Sequence, residues 1–246
     1  MYEEFAANYD NLTTDVDYEK RTEYMCSLFN KYGKMPTLLL DLACGTGGFS
    51  NEFAKRGVEV IGVDISPEML DVARSNSEES GLDVLYLCQD AAHLDLFGTV
   101  DGAICCQDSL NHITDYEDLR EAFKKVALFL EKDGLFIFDL NTLYKHKEVL
   151  GNNTFVVETE DLYCVWQNEF SEESGTVDIA LDFFKETENG LFERSSEYIT
   201  ERYYSEAEIK TALKDASLKI VGIFEEMTEN APEDDTQRIF YVTRKV

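Results

Sequence analysis

The sequence predicts an α/β fold, a doubly wound, mostly parallel sheet carrying an antiparallel β-meander insertion. Three observations lead there. Short apolar strands alternate with amphipathic helices up to about residue 140, and that alternation builds a parallel sheet with helices on both faces. A glycine-rich turn follows the first strand, and an acid ends the second. After Asn141 the rhythm becomes period two, with hairpin signals at Ser174-Gly175 and Asn189-Gly190.

Each element has its local reason. Residues 17–33 read as an amphipathic helix with Tyr24, Cys26, Leu28 and Phe29 inward and Gly33 as its stop. Leu38, Leu39, Leu40 and Leu42 form an apolar run of the kind covered on both faces. Gly45, Gly47 and Gly48 then turn the chain tightly and let a ligand approach the main chain. Phe49, Phe53 and Ala54 follow at helical spacing up to Gly57. Val58, Val60, Ile61 and Val63 make the second strand, ended by Asp64, 23 residues after Asp41. Ser66 suits an N-cap and Pro67 the first helical position, and Gly81 closes that helix. Val84–Cys88 and Val100–Cys106 are the third and fourth strands. Leu119, Ala122, Phe123, Val126, Ala127 and Leu130 mark a helix over 115–132, stopped by Asp133-Gly134 before a fifth strand, Leu135–Leu140. Residues 142–151 read as a short helix. The meander follows as Phe155–Glu158, Leu162–Phe170, Val177–Phe184 and Leu191–Thr200, with Val177, Ile179, Leu181 and Phe183 on one face. Ser205-Glu206-Ala207-Glu208 is a capping box for a helix to about Asp215. Leu218–Glu225 and Arg238–Arg244 are strands around an acidic loop.

Composition bounds the function. The chain has 246 residues, 44% of them hydrophobic, enough for one large core or one domain with an insertion. A net charge of −28 repels phosphate backbones, and no Lys/Arg cluster offsets it, so no nucleic-acid partner is expected. A neutral or cationic small molecule suits such a surface better, although the acidic excess also serves plain solubility. Cys26, Cys44, Cys88, Cys105, Cys106 and Cys164 form no C-x-x-C pair, and the three histidines do not join them at zinc spacing. They read as reduced residues of a cytoplasmic protein, with no metal expected. The start MYEEFAANYD has neither the basic nor the apolar region of a signal peptide, and no apolar run approaches a membrane span. A monomer or homodimer is expected.

An acid about 20 residues beyond a glycine turn is placed to accept the two ribose hydroxyls of a nucleoside. The dinucleotide fingerprint would need a third glycine where Ser50 stands. Instead, Asp41-Leu42-Ala43-Cys44-Gly45-Thr46-Gly47 followed by Gly62-Val63-Asp64-Ile65-Ser66 resembles the first two motifs of the class I S-adenosylmethionine (SAM)-dependent methyltransferases. The resemblance covers most of residues 1–140 and returns at the C-terminus, where the last two strands resemble the antiparallel hairpin that closes that family's sheet. It implies a Rossmann-like sheet of seven strands, SAM as cofactor, and methyl transfer to a nitrogen or oxygen of a small-molecule acceptor. The change of rhythm after Asn141 predicts a core of residues 1–141 and 202–246, with 142–201 as an inserted β lid over the acceptor. Aromatics of that insertion, Tyr163, Trp166, Phe170, Phe183, Phe184, Phe192 and Tyr198, would line an apolar pocket or hold the sheet to the core.

The site residues follow from this resemblance and, for Arg21, Asp41 and His112, from their place in the chain. Ala43, Gly45, Thr46 and Gly47 form the cradle for the methionine part, and Asp41 orients the turn or meets the cofactor ammonium. Asp64 binds ribose. Ile65 and Met69 lie against adenine, Asp90 accepts its amino group, and Ala91 accompanies Asp90. Gln107 and Leu110 match positions that touch the cofactor, and Arg21 is a candidate for its carboxylate. Tyr2…Tyr9-Asp10 resembles the Y-x(6)-Y-D segment that folds over the cofactor. Tyr9 either faces the sulfonium by cation–π attraction or pins a terminal helix. If the acceptor must lose a proton, His112 and Tyr9 are the candidate bases. Two other classes stay open at this point, a SAM-binding scaffold or regulator without turnover and an NAD-type oxidoreductase.

Overall fold

The computed structural model describes residues 6, 8, 9, 12, 13, 16–159, 162–187 and 189–246. Tyr2 and Asp10 of the Y-x(6)-Y-D segment lie outside the described residues. The elements are α1 (Tyr18–Tyr32), β1 (Leu38–Leu42), α2 (Gly48–Lys55), β2 (Glu59–Asp64), α3 (Pro67–Glu79), β3 (Leu85–Cys88), β4 (Val100–Cys105), α4 (Tyr116–Phe129) and β5 (Leu130–Asn141). They continue as β6 (Thr154–Glu158), β7 (Leu162–Ser171), β8 (Thr176–Glu186), β9 (Phe192–Arg202), α5 (Glu206–Asp215), β10 (Leu218–Glu225) and β11 (Arg238–Lys245).

The first sheet has seven strands in the order β10-β11-β5-β4-β1-β2-β3. β1 pairs in parallel with both β2 and β4, and β4 with β5. β11 lies antiparallel to β5 and to β10. Strand order therefore reverses between β1 and β4. Loops leaving the carboxyl ends of those two strands diverge, and the gap between them is where ligands sit in such sheets.

Burial explains the apolar runs. Leu40 and Leu42 join one hydrophobic cluster, with Phe123, Phe136, Phe138 and Leu213, while Leu39 joins the other, with Phe29, Phe53, Ile104 and Ile137. Both sheet faces are thus covered, and alternate residues of each strand feed opposite cores. Helix ends follow local chemistry. Ser66 Oγ accepts from the Met69 N–H at 3.1 Å ahead of Pro67, and both halves of the Ser205–Glu208 capping box form.

One boundary differs from the sequence reading. α4 stops at Phe129, and β5 starts at once with Leu130, which pairs with Val100. Leu130 is fully buried, and the sheet captures it before Asp133-Gly134 is reached. Those two residues instead lie in an irregularity of β5, Asp133 with φ +65°, before pairing resumes at Leu135.

Residues 154–202 form a separate four-stranded antiparallel sheet in the order β6-β7-β8-β9. Val177, Ile179, Leu181 and Phe183 are all buried along β8, as the alternation requires. In place of a plain helix after β5, Lys145–Leu150 makes one π-helical turn. Among the described residues no helix is long and apolar enough to cross a membrane.

Candidate active site

A cavity of about 640 Å³ opens at the β1/β4 switch point. The loop after β1 builds one wall. Ala43 and Gly45 both take φ +55°, and Gly47, at φ +80°, sits just ahead of α2. A left-handed backbone is costly for a residue with a Cβ, which accounts for glycine at two of these places. At Gly47 a Cβ would also clash with the Tyr86 hydroxyl and lie 3.2 Å from Ala73 Cβ. Gly47→Ala is therefore expected to lose more than the roughly 1–2 kcal/mol that backbone strain alone costs. Chemical denaturation of the variant beside the parent chain measures it, and an unchanged midpoint would refute it.

Asp64, at the end of β2, locks the adjoining loops. Its Oδ2 accepts from the Gly45 N–H at 2.8 Å and its Oδ1 from the Ser66 N–H at 2.9 Å. Burial raises the Asp64 carboxyl above its ordinary value, against those N–H donors and the nearby His112, which favour the anion. Asp41 is more deeply enclosed and accepts from Ser50 Oγ at 2.6 Å. Burial pushes it up to about 7, with Asp64 adding to the effect.

The opposite wall is the loop after β4. Gln107 and Asp108 are consecutive residues with φ +58° and +53°. Asp139, buried at the end of β5, holds both: its Oδ2 accepts from the Gln107 N–H at 2.9 Å and its Oδ1 from the Asp108 N–H at 2.7 Å. Arg238 of β11 bonds Asp139 at 2.6 Å and also reaches Asp108 and Glu226, each at 3.2 Å. Burial works to raise Asp108, but the Arg238 guanidinium, with Lys145 and His112 behind it, holds the carboxyl below its ordinary value. Asn141 donates to Asp108 and, at 2.9 Å, to Glu201 of β9, which also bonds His146 at 2.9 Å. A continuous polar network thus ties the seven-stranded sheet to the four-stranded one.

Most of the expected residues meet here. Tyr9, Asp41, Ala43, Gly45, Asp64, Ile65, Met69, Asp90, Ala91, Gln107, Leu110 and His112 all line the cavity. Thr46 and Gly47 shape the turn without lining it; Thr46 is buried and its carbonyl accepts from Asn76 at 3.1 Å. Arg21 is not among the lining residues, and its guanidinium bonds Glu226 at 2.6 Å. Asp90 caps a short 3₁₀ turn, accepting from the Ala92 N–H at 2.8 Å. Asn111, beside His112, accepts from the Asn141 N–H and donates to the Arg202 carbonyl, fixing this loop from two sides.

The far wall differs from expectation. Of the insertion's aromatics only Trp166 lines the cavity, together with Ile179, Leu181, Ile199 and Glu201. Tyr163, Phe192 and Tyr198 are exposed, because strand alternation puts them on the outward face. Lys145, Asp108 and Arg238 also belong to the wall, and no local motif marks them in the sequence.

A cradle of bare main chain, a carboxylate at the next strand end and the buried Gln107 amide nitrogen, which has no partner among the described residues, fit an adenosyl cofactor. Comparison with known proteins decides which. A family model described as a methyltransferase domain matches residues 39–134. The Bacillus subtilis (strain 168) protein named "Putative methyltransferase YqeM" is 31% identical over 247 residues, covering 100% of this chain and 97% of its own. A crystal structure of an S-adenosylmethionine-dependent methyltransferase from Clostridium acetobutylicum superposes with a TM-score of 0.89 at 33% identity, covering 99% of this chain and 98% of that one. The chain belongs to the class I SAM-dependent methyltransferases. SAM-bound CalS10 from Micromonospora echinaspora, an amino pentose methyltransferase, shares the methyltransferase's fold at 17% identity and TM-score 0.75, covering 94% of this chain and 92% of that one. The NAD-type reading is set aside. SAM is the methyltransferase's cofactor, supplying a methyl group already activated on a sulfonium.

Proposed function

We propose that this methyltransferase transfers the sulfonium methyl of SAM by in-line displacement to a nitrogen or oxygen of a small-molecule acceptor. The observation that carries the reading is that two sets of residues share one cavity. The Gly45 turn with Asp41, Asp64 and Asp90 comes from the seven-stranded sheet. Trp166, Ile179, Leu181 and Ile199 come from the four-stranded one, and we assign them to the acceptor. Residues 142–201 then act as the substrate subdomain. Asp64 accepts the ribose hydroxyls, Asp90 the adenine amino group, and the Ala91 backbone borders the ring. Ile65 and Met69 flank adenine, and Gln107 and Leu110 border the methionine part. Because the methyl is already activated, the protein's work is positioning and exclusion of water.

Acceptor chemistry follows from charge. Asp41, Asp64, Asp90, Asp108, Asp115, Asp118 and Glu201 line the cavity against Lys145, Arg238 and His112. That excess favours a neutral or cationic acceptor, including an amine such as the sugar amine named for CalS10. Calorimetry with SAM and S-adenosylhomocysteine, followed by mass spectrometry of a panel of amines and alcohols incubated with the protein and SAM, tests the reading. Binding with one methylated product supports it; no binding of either adenosyl compound overturns it.

Asp41 adds a pH signature. Its value of about 7 in the fold exceeds the 3.8 of a free carboxyl, so the fold keeps a proton that the unfolded chain gives up. Its contribution to stability is complete below about pH 4 and declines as pH rises to about 7. The positive charge of SAM favours the ionised form, so cofactor affinity should rise over the same window. Asp41→Asn should flatten both curves, measured by denaturation and by calorimetry at pH 5 and pH 8. Curves of wild-type steepness would count against this role.

A further inference from the structure

Among the described residues, the charged groups of the far wall other than Lys145 have charged or hydrogen-bonding partners. Arg238 is engaged by Asp139, Asp108 and Glu226. Glu201 serves Asn141 and His146. Lys145 lines the same cavity, yet among the described residues its Nζ makes no hydrogen bond or ion pair. Its backbone is fixed: the Lys145 N–H donates to Thr142 Oγ1 at 3.1 Å, and the residue opens the π-helical turn Lys145–Leu150. Single π turns are enriched at functional sites because they re-aim side chains out of the helical register. Here the turn places the lysine on the cavity wall, within electrostatic reach of Asp108, Glu201 and Arg238.

From this placement we infer that Lys145 is the proton acceptor of the transfer, taking the proton that the acceptor's nitrogen or oxygen must lose. The inference rests on the proposed transfer to nitrogen or oxygen. The step balances without another reagent. A lone pair on the acceptor forms a bond to the methyl carbon, the carbon–sulfur bond breaks, and its electron pair stays on sulfur in S-adenosylhomocysteine. The proton on the attacking atom passes to the free amine of Lys145, which becomes ammonium and returns the proton to solvent after product leaves.

The surroundings suit this. Burial first, and then the Arg238 guanidinium, lower the Lys145 amine below its ordinary value, opposed by the carboxylates of Asp108, Glu201 and Glu226. These charges come from four separate parts of the chain, and His146 is its neighbour in sequence. Partial burial disfavours the ammonium relative to the free amine, which eases the return of the proton to solvent. His112, the base expected from the sequence, lines the same cavity.

Two measurements test the role. In the first, the protein carries ¹³C-labelled lysine, and the Lys145 signal is assigned by its loss in Lys145→Arg. Titration by NMR, with and without S-adenosylhomocysteine, should show Lys145 losing its proton below the surface lysines. A midpoint among the surface lysines overturns the inference, and this arm needs no acceptor. The second uses the acceptor returned by the panel. Lys145→Arg keeps a cation but cannot take a proton, so it should lose about 100-fold in kcat, as much as Lys145→Met, with SAM affinity unchanged. If Lys145→Arg turns over like the parent while Lys145→Met raises the acceptor KM, the lysine is an electrostatic anchor and the inference fails. Failure of SAM to bind the parent chain would instead overturn the cofactor site itself.

Discussion

Asp64→Ala is expected to weaken binding of S-adenosylhomocysteine by at least about 100-fold in calorimetry. Each hydrogen bond to an ionised carboxylate is worth roughly 1.5–3 kcal/mol, and in the proposed role two ribose hydroxyls would lose theirs. At about 1.4 kcal/mol per factor of ten, the loss spans roughly two to four decades. The variant loses more than ligand contacts. The Gly45 and Ser66 N–H groups both bond this carboxylate, so the glycine cradle and the start of α3 lose their common tie. Asp64→Asn keeps one oxygen acceptor and should fall between the two. An Asp64→Ala variant that is folded by circular dichroism and binds at parental affinity would remove ribose recognition from this residue.

Arg238→Met should be the most destabilising single change in the network. Removing one partner of a buried ion pair typically costs about 3–5 kcal/mol, because the remaining charge keeps its desolvation penalty. Here Asp139 would stay buried with only two backbone N–H donors, and those donors hold the left-handed residues Gln107 and Asp108. Urea denaturation measures the change. Arg120→Ala is the contrast, since its partners Glu117 and Asp215 lie on the surface, and its midpoint should stay close to the parent's. Equal shifts for the two variants would show that the Arg238 cluster carries no special weight. The same cluster borders the proposed acceptor wall, so Arg238→Met should also impair turnover beyond what its unfolded fraction explains.

The glycine-turn wall of the cavity was legible because its chemistry is local. A strand, a glycine turn and an acid at the next strand end are neighbours in both sequence and space once β1 and β2 pair in register, Asp41 opposite Gly62. Ser66-Pro67 and Ser205–Glu208 were legible for the same reason, each cap being made within four residues. Arg21 was read differently because helical periodicity shows which face is polar but not which carboxylate arrives opposite it. Glu226, 205 positions away, is that carboxylate. The insertion's strands were visible from alternation, yet its aromatics split between two faces. Only Trp166 among those expected reaches the cavity, where Ile179 and Leu181 take the place of rings.

The sequence by itself determined the fold class, the glycine turn and acid at the switch point, and the presence of an inserted meander, since each is written in periodicity and short-range turn chemistry. Tertiary structure alone decided the far wall of the cavity. Asp108, Lys145, Glu201 and Arg238 come from four distant segments, and only tertiary packing brings their charges into one cavity. Charge pairing inside a protein depends on distance through space, and no spacing along this chain encodes that distance.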